Sequence, residues 1–367
     1  MGAVKSERGA SEAELVWIPR DGKKGQVVSL GRVFGDPEPP LVSSHKDMAM
    51  VAIPDGDASG TMLRLASAVP FQREVKRGAE ITNVDPATGF ALALGERGAL
   101  VVSGSRGRSA VALEATRVDP KHPEKVGQGL EIAGTEGAEA PILVARTGGF
   151  FLAFAAEVPD KATDARKPLP DASVDAAAPD PDLIVAGPRA LRVAALDTDG
   201  RVVGGVRTLS AAGESVGGFD AAALPDGTLL VAYRRAEIGT GLEQGGVSLL
   251  RVGLDGSVHS GRMEESEPGF GVPRLLLDAR AKRSWLAVRG PGDSAMLGIF
   301  ATQGLAVEGL AADPGLRGVE LFALENGRFL VGHARGRAME LSLVECGTWV
   351  VAPAPSATPT PSSSVIH

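Results

Sequence analysis

The feature that most constrains this chain is a recurring hairpin. A short apolar run meets a tight turn built on Asp-Gly, Asn-Gly or Gly-Gly, and a second apolar run follows at once. The clearest copy begins at Gly217. There Phe219–Leu224 reaches Pro225-Asp226-Gly227, and Thr228–Tyr233 returns. A loop leads to a third run, Val247–Gly253, and Asp255-Gly256 turns into a fourth at Ser257–Met263. Asp-Gly between apolar runs is a strong hairpin signal, because its glycine takes positive φ at little steric cost.

The same order of runs and turns recurs. Val319–Leu324, Asn326-Gly327 and Phe329–His333 repeat the first hairpin, with Ala338–Cys346 third. Pro273–Leu277 and Ser284–Arg289 repeat it again before Ala295–Ala301, as do Pro141–Ala145 and Phe150–Ala155 before Ala190–Leu196. Ile81–Val84, the turn Asp85–Gly89 and Phe90–Leu94 form a weaker copy, and Leu41–Ser44 with Met48–Ile53 the first. The six copies lie 40 to 78 residues apart, and the longest interval contracts to about 48 once an insert of roughly 30 residues is set aside. A period of ~40–50 residues with four short strands per unit describes a β-propeller blade. No amphipathic helix separates the strands, which argues against βαβ units.

The expected fold is therefore all-β: a β-propeller of six four-stranded blades spanning 14–351, with seven blades as the alternative. A sandwich or solenoid of similar hairpins competes with it. Leu15–Pro19, Asp21-Gly22 and Val27–Phe34 read as half a blade, so Val27–Phe34 is expected to complete the last blade and remove its open edge. Residues 1–13, the Asp/Ala/Pro-rich insert 159–188 and the Pro/Ser/Thr tail 352–367 are expected to lack order, having little to bury.

The segments Leu224–Tyr233 (LPDGTLLVAY) and Leu249–Val258 (LLRVGLDGSV) resemble the divergent PDG-type propeller repeats of bacterial proteins. The resemblance covers about 290 residues and rests mostly on turn chemistry. A WD pair, a regular kelch Gly-Gly pattern and a sialidase Asp-box are all missing, so it implies the fold rather than an activity.

Composition narrows the function classes. The chain has 367 residues, net charge −7 and a single cysteine, which forbids an internal disulfide framework and a Cys-based zinc site. The acidic balance, with aromatic residues at 4%, lacks the footprint of a nucleic-acid binder. No run approaches the ~18–20 apolar residues of a membrane span. The N-terminus has charges and no apolar stretch of a secretory signal. The tail and acidic insert nevertheless favour a periplasmic or extracellular protein over a cytoplasmic one.

Gly213-Glu214-Ser215-Val216-Gly217 matches the nucleophile elbow, but that motif needs a helix after the serine and a strand is expected instead. Asp55, Asp57 and Ser59 offer alternating oxygens as calcium loops do, although the twelfth position holds Ala66 rather than glutamate. The five histidines are too scattered for a metal pair. One set could carry function: the first strands of the blades, lining a central channel, bring His45, Lys46, Arg146, Asp220, Arg274 and Glu320. Charged groups on inner strands need partners or water. The leading expectation is a monomeric, non-catalytic propeller binding a protein or small polar ligand, without a cofactor. The alternatives are an enzyme, lyase or hydrolase, at the channel mouth and a calcium-stabilised structural module.

Overall fold

The computed structural model describes residues 2–7, 10–17, 25–34, 40–57, 60–105, 112–157, 188–211, 214–236, 243–263, 270–278, 283–289, 294–317, 319–323, 328–335 and 338–345. Among them the chain forms antiparallel sheets only, seven in number and in chain order. The first sheet holds β1 (Gly2–Glu7), β2 (Ala10–Trp17) and β3 (Gln26–Val33). The second holds β4 (Leu41–His45), β5 (Met48–Asp57), β6 (Gly60–Ala68) and β7 (Val75–Val84). In the third, β8 (Phe90–Gly95), β9 (Gly98–Gly104) and β10 (Leu113–Asp119) are followed by β11 (His122–Val126) and β12 (Leu130–Glu131), both paired with β10.

The fourth sheet runs β13 (Ala138–Arg146), β14 (Gly149–Glu157), β15 (Arg189–Leu196) and β16 (Val202–Thr208). The fifth runs β17 (Ser215–Ala223), β18 (Leu229–Ala236), β19 (Glu243–Val252) and β20 (Val258–Met263). The sixth comprises β21 (Phe270–Asp278), β22 (Arg283–Arg289), β23 (Ser294–Ala301) and β24 (Val307–Arg317), and the seventh β25 (Val319–Ala323), β26 (Arg328–Arg335) and β27 (Ala338–Glu345).

The second to fifth sheets stack because their middle strands are apolar on both faces. In β14 every residue from Gly149 to Ala156 is buried. Phe150, Leu152, Phe154 and Ala156 pack toward the third sheet, while Phe151, Ala153 and Ala155 pack toward the fifth. β18 divides likewise, with Leu229, Val231 and Tyr233 on one side and Leu230 and Ala232 on the other. A strand's side chains alternate in direction, so a continuous apolar run needs a partner sheet on each face. Each fully buried Leu or Phe contributes about 1.5–3 kcal/mol.

Three hairpin turns share one geometry. In the Leu224–Thr228 turn, Leu224 N donates to Thr228 O (2.8 Å), Gly227 N to Leu224 O (2.9 Å), and Gly227 has φ +82°. The Asp226 carboxylate accepts from Thr228 N at 3.0 Å and Thr228 Oγ1 at 2.6 Å. Gly253–Ser257 and Asp197–Arg201 repeat the arrangement, with Asp255 and Asp197 accepting from the turn amides. In a four-stranded meander, first-to-second and third-to-fourth turns lie at one end of the sheet. These turns therefore make one face, here called the tip face, and the second-to-third loops and inter-sheet links make the other.

The first strands of successive sheets adjoin in the series β4, β8, β13, β17, β21, β25. β13, β17 and β21 each carry a register irregularity near their starts. There β17 and β21 come so close that a Cβ on Gly218 would lie 2.8 Å from Val272 Cα.

Two expectations are corrected, and two strands are added to the reading. Residues 1–13 carry β1 and the beginning of β2. Val27–Phe34 is not attached to the last module among the described residues. β3 pairs with β2, and its Val28, Leu30 and Val33 join Ala13, Leu15 and Trp17 against the second sheet. Ile81–Val84 is no first strand: it ends β7, with Ile81 opposite Leu63. The turn Asp85–Gly89 links the sheets, and β8 opens the third sheet. Finally, a fourth strand, β24, closes the sixth sheet where no run had been marked. Residues 158–187 and 346–367, which hold nearly all of the insert and the whole tail, lie outside the described residues.

Replacing Gly218 by valine is expected to destabilise the fold by about 1–3 kcal/mol through overpacking of two backbones. Urea denaturation followed by circular dichroism measures it; an unchanged midpoint would show that the two strands part freely.

Candidate functional site

Five of the six channel residues fall on first strands and Lys46 on the turn after β4, and they are engaged in different ways. Asp220 on β17 accepts from Leu275 N of the neighbouring β21 at 2.9 Å. Ser43 on β4 does the same for Leu94 N of β8 at 2.9 Å. Side chains of one inner strand thus satisfy amides of the next, a brace in which Asp220 was anticipated and Ser43 was not. Arg146 spans its own hairpin, donating to Phe150 O (3.3 Å), Thr147 O (2.9 Å) and Leu196 O (3.2 Å), with its guanidinium 5.3 Å from the Phe151 ring centroid. Burial lowers its pKa, since desolvation disfavours the charged form. His45 ends β4 with a buried Nε2 that has no hydrogen-bond partner among the described residues, and Lys46 follows in the turn at φ +53°. Arg274 is half-buried on β21, and Glu320 lies on β25 opposite Gly332, its side chain outside the described set. The structure does not gather these six into one described pocket.

The tip face carries a second device. Arg251, near the end of β19, binds the Asp226 carboxylate, donates to Thr228 Oγ1 (3.1 Å), and reaches Gln303 O (3.4 Å) in the next sheet's turn. Arg117, at the matching place on β10, donates to Asp199 Oδ1 of the fourth sheet's turn (2.7 Å) and to Arg97 O (3.3 Å). Both arginines are followed by valine, in Arg117-Val118 and Arg251-Val252. Partial burial pushes Asp226 upward, but the hydrogen bonds from Thr228 and the Arg251 charge outweigh it and hold the carboxyl below its ordinary value. Hydrogen bonds from the Ser257 amide and hydroxyl hold Asp255 low as well.

Beside Arg117 the tip face opens into a recess of 360 Å³, lined by Arg97, Arg117, Asp119, Lys125, Val126 and Gly127. Arg97, in the β8–β9 turn, also walls a smaller, adjoining cavity with Glu96, Arg146, Gly149 and Thr198. The recess thus lies among rigid hairpin tips of the third sheet, next to the Asp199 turn of the fourth. Arg97 and Lys125 form no ion pair with the described residues.

At the opposite end of the fourth and fifth sheets a neutralised cluster assembles. Arg189 pairs with Glu139 at 2.8 Å, and Glu214 meets Tyr233 Oη at 3.1 Å and Arg235 at 3.7 Å. Burial raises the Tyr233 pKa, and Glu214 adds to the rise. Ser215, the candidate elbow serine, heads strand β17 and accepts from Arg189 N at 3.1 Å. A strand follows it, so it braces two sheets.

Of the residues read as a calcium loop, Asp55 is engaged by other partners. Asp55 and Asp57 are not in a wide loop: β5 runs through Asp57 and pairs it with Gly60. Asp55 is buried, its carboxylate 2.9 Å from Arg64 Nε and accepting from Phe34 N at 2.8 Å. The Asp57 side chain and Ser59 lie outside the described set. Among the described residues no three His, Cys, Asp or Glu side chains are grouped to hold a metal, and no helix is long and apolar enough to cross a membrane.

No protein-family model matches this chain, and no curated protein does. Among solved structures it is similar to the acylaminoacyl peptidase of Pyrococcus horikoshii, at 10% identity and a TM-score of 0.51. The alignment covers 85% of this chain and 45% of the peptidase, so the chain spans less than half of that protein's length. A neuraminidase-like protein from A/bat/Guatemala/164/2009 aligns at 11% identity and TM-score 0.49, over 92% of this chain and 90% of that one. TolB from Acinetobacter baumannii aligns at 13% and 0.43, over 94% and 76%. The neighbours are propeller-like folds, and at such identities the likeness is one of fold.

Two outcomes are expected. Asp220→Ala leaves the Leu275 amide without its acceptor, a loss of about 1–3 kcal/mol; amide exchange at Leu275 accelerates and the urea midpoint falls. Because Asp226 and Asp255 have depressed folded-state pKa values, their contribution is complete above the unfolded carboxylate range near ~4 and is lost as pH falls through the folded values. The double variant Asp226→Ala/Asp255→Ala should therefore lose less stability than the wild type between pH 6 and pH 2, read from urea midpoints across the titration.

Proposed function

We propose that this protein is a non-catalytic β-propeller that binds a protein or small polar ligand on its tip face. The observation that carries the reading is the open 360 Å³ recess, one of whose walls, Arg117, is held between the third sheet and the fourth sheet's turn. A rigid scaffold presenting short turns is the usual setting of a binding surface, and ~300–1,000 Å³ is the ordinary volume of a small-ligand site. Asp220, Arg146 and Ser215 are committed to backbone partners, which supports binding over a catalytic site built from them. The seven sheets in series favour seven blades over six, and ring closure belongs to this reading.

A thermal-shift screen of chemically diverse small molecules and peptides tests it. Ligands of the folded state raise the midpoint by mass action and are expected to be recovered unchanged. Stabilisation should weaken in Arg97→Glu. Conversion of a stabilising compound overturns the non-catalytic assignment, and stabilisation indifferent to Arg97→Glu removes the recess as the site.

A further inference from the structure

We infer that the recess at the tip of the third sheet takes an oxyanion, a phosphate or carboxylate group on a small ligand; this rests on the binding reading above and names its ligand chemistry. Three cations, Arg97, Arg117 and Lys125, line it against one carboxylate, Asp119. The Asp119 carboxylate is turned to its own strand end, where Oδ1 accepts from Lys121 N at 2.9 Å. Arg117 shares its charge with Asp199, so the positive excess of the lining comes from Arg97 and Lys125, in a chain whose net charge is −7. A concave site of one sign concentrates the opposite charge within it.

The three cations are prepared differently. Arg117 is held by Asp199 Oδ1 on one side and Arg97 O on the other, so its guanidinium plane is set before any ligand arrives. Preorganisation lowers the entropic cost of binding. Arg97 and Lys125 are exposed and form no ion pair with the described residues, so their donors are available. Lys125 does sit beside Glu124, whose own carboxylate is drawn toward its backbone amide and His122. Guanidinium forks match the planar oxygens of carboxylates and phosphates, and an ammonium adds a point charge.

Isothermal titration at low salt, with inorganic phosphate and with citrate as separate probes and glycerol as the uncharged comparator, tests the assignment. Saturable binding of phosphate, citrate or both is expected. Phosphate alone identifies a phosphate site, and citrate alone a carboxylate site. Arg97→Ala and Lys125→Ala should each weaken binding about tenfold, as losing a charge-assisted hydrogen bond does. Arg97→Lys should retain part of it, and 0.5 M sodium chloride should abolish most. The exposed Arg262→Ala on β20 should leave it unchanged. Absence of saturable binding by both anions overturns the proposal, as does an equal loss in Arg262→Ala. If neutral compounds stabilise the protein in the screen while neither anion binds, the oxyanion assignment falls and the binding reading stands.

Discussion

The structure depends on strands that are apolar on both faces. β14 cannot leave either face in water, for Phe150, Leu152 and Phe154 point one way and Phe151, Ala153 and Ala155 the other. β5 is in the same position, with Ala49, Val51 and Ile53 against the first sheet and Met50 and Ala52 against the third. A single sheet of this kind has no stable free existence, and a pair of sheets only moves the problem outward. Repetition along the chain meets it, because from the second sheet to the fifth each serves as lid for the one before and the one after. The low aromatic content fits this arrangement, since alanines and valines let neighbouring sheets approach closely.

Polar groups are then arranged around that apolar stack. Where inner strands meet, Ser43 and Asp220 give the Leu94 and Leu275 amides of the next strand an acceptor. On the tip face Arg117 and Arg251 stitch a strand end to the following sheet's turn. On the other face Glu139 with Arg189, and Glu214 with Tyr233 and Arg235, neutralise one another between sheets. These charges are thus consumed by the architecture. Arg97 and Lys125 are different, and the recess they share with Arg117 is where the scaffold holds charge in reserve.

Strand positions were legible because turn chemistry is local. Asp226, Gly227, Asp255 and Gly256 report their hairpins through hydrogen bonds made within a few residues. The same property explains the misreading of Asp85–Gly89. Its Asp85 carboxylate accepts from Ala87 N and Thr88 Oγ1 much as the hairpin aspartates do, yet it joins two sheets. A turn reports that the chain reverses and says nothing about which strands it separates. β1 was missed for the opposite reason: it is defined by its antiparallel pairing with β2, and no turn motif within it marks it.

By itself the sequence determined the all-β character, the hairpin module and its repetition, because alternation, apolar runs and Asp-Gly turns act over a few residues. Only the tertiary structure decided that Val27–Phe34 belongs to a sheet of its own, that Asp55 answers to Arg64 and Phe34, and that Arg97, Arg117 and Lys125 converge on one recess. Those outcomes depend on which surfaces meet across tens of residues, and through-space contact between distant segments leaves no mark in any short stretch of chain.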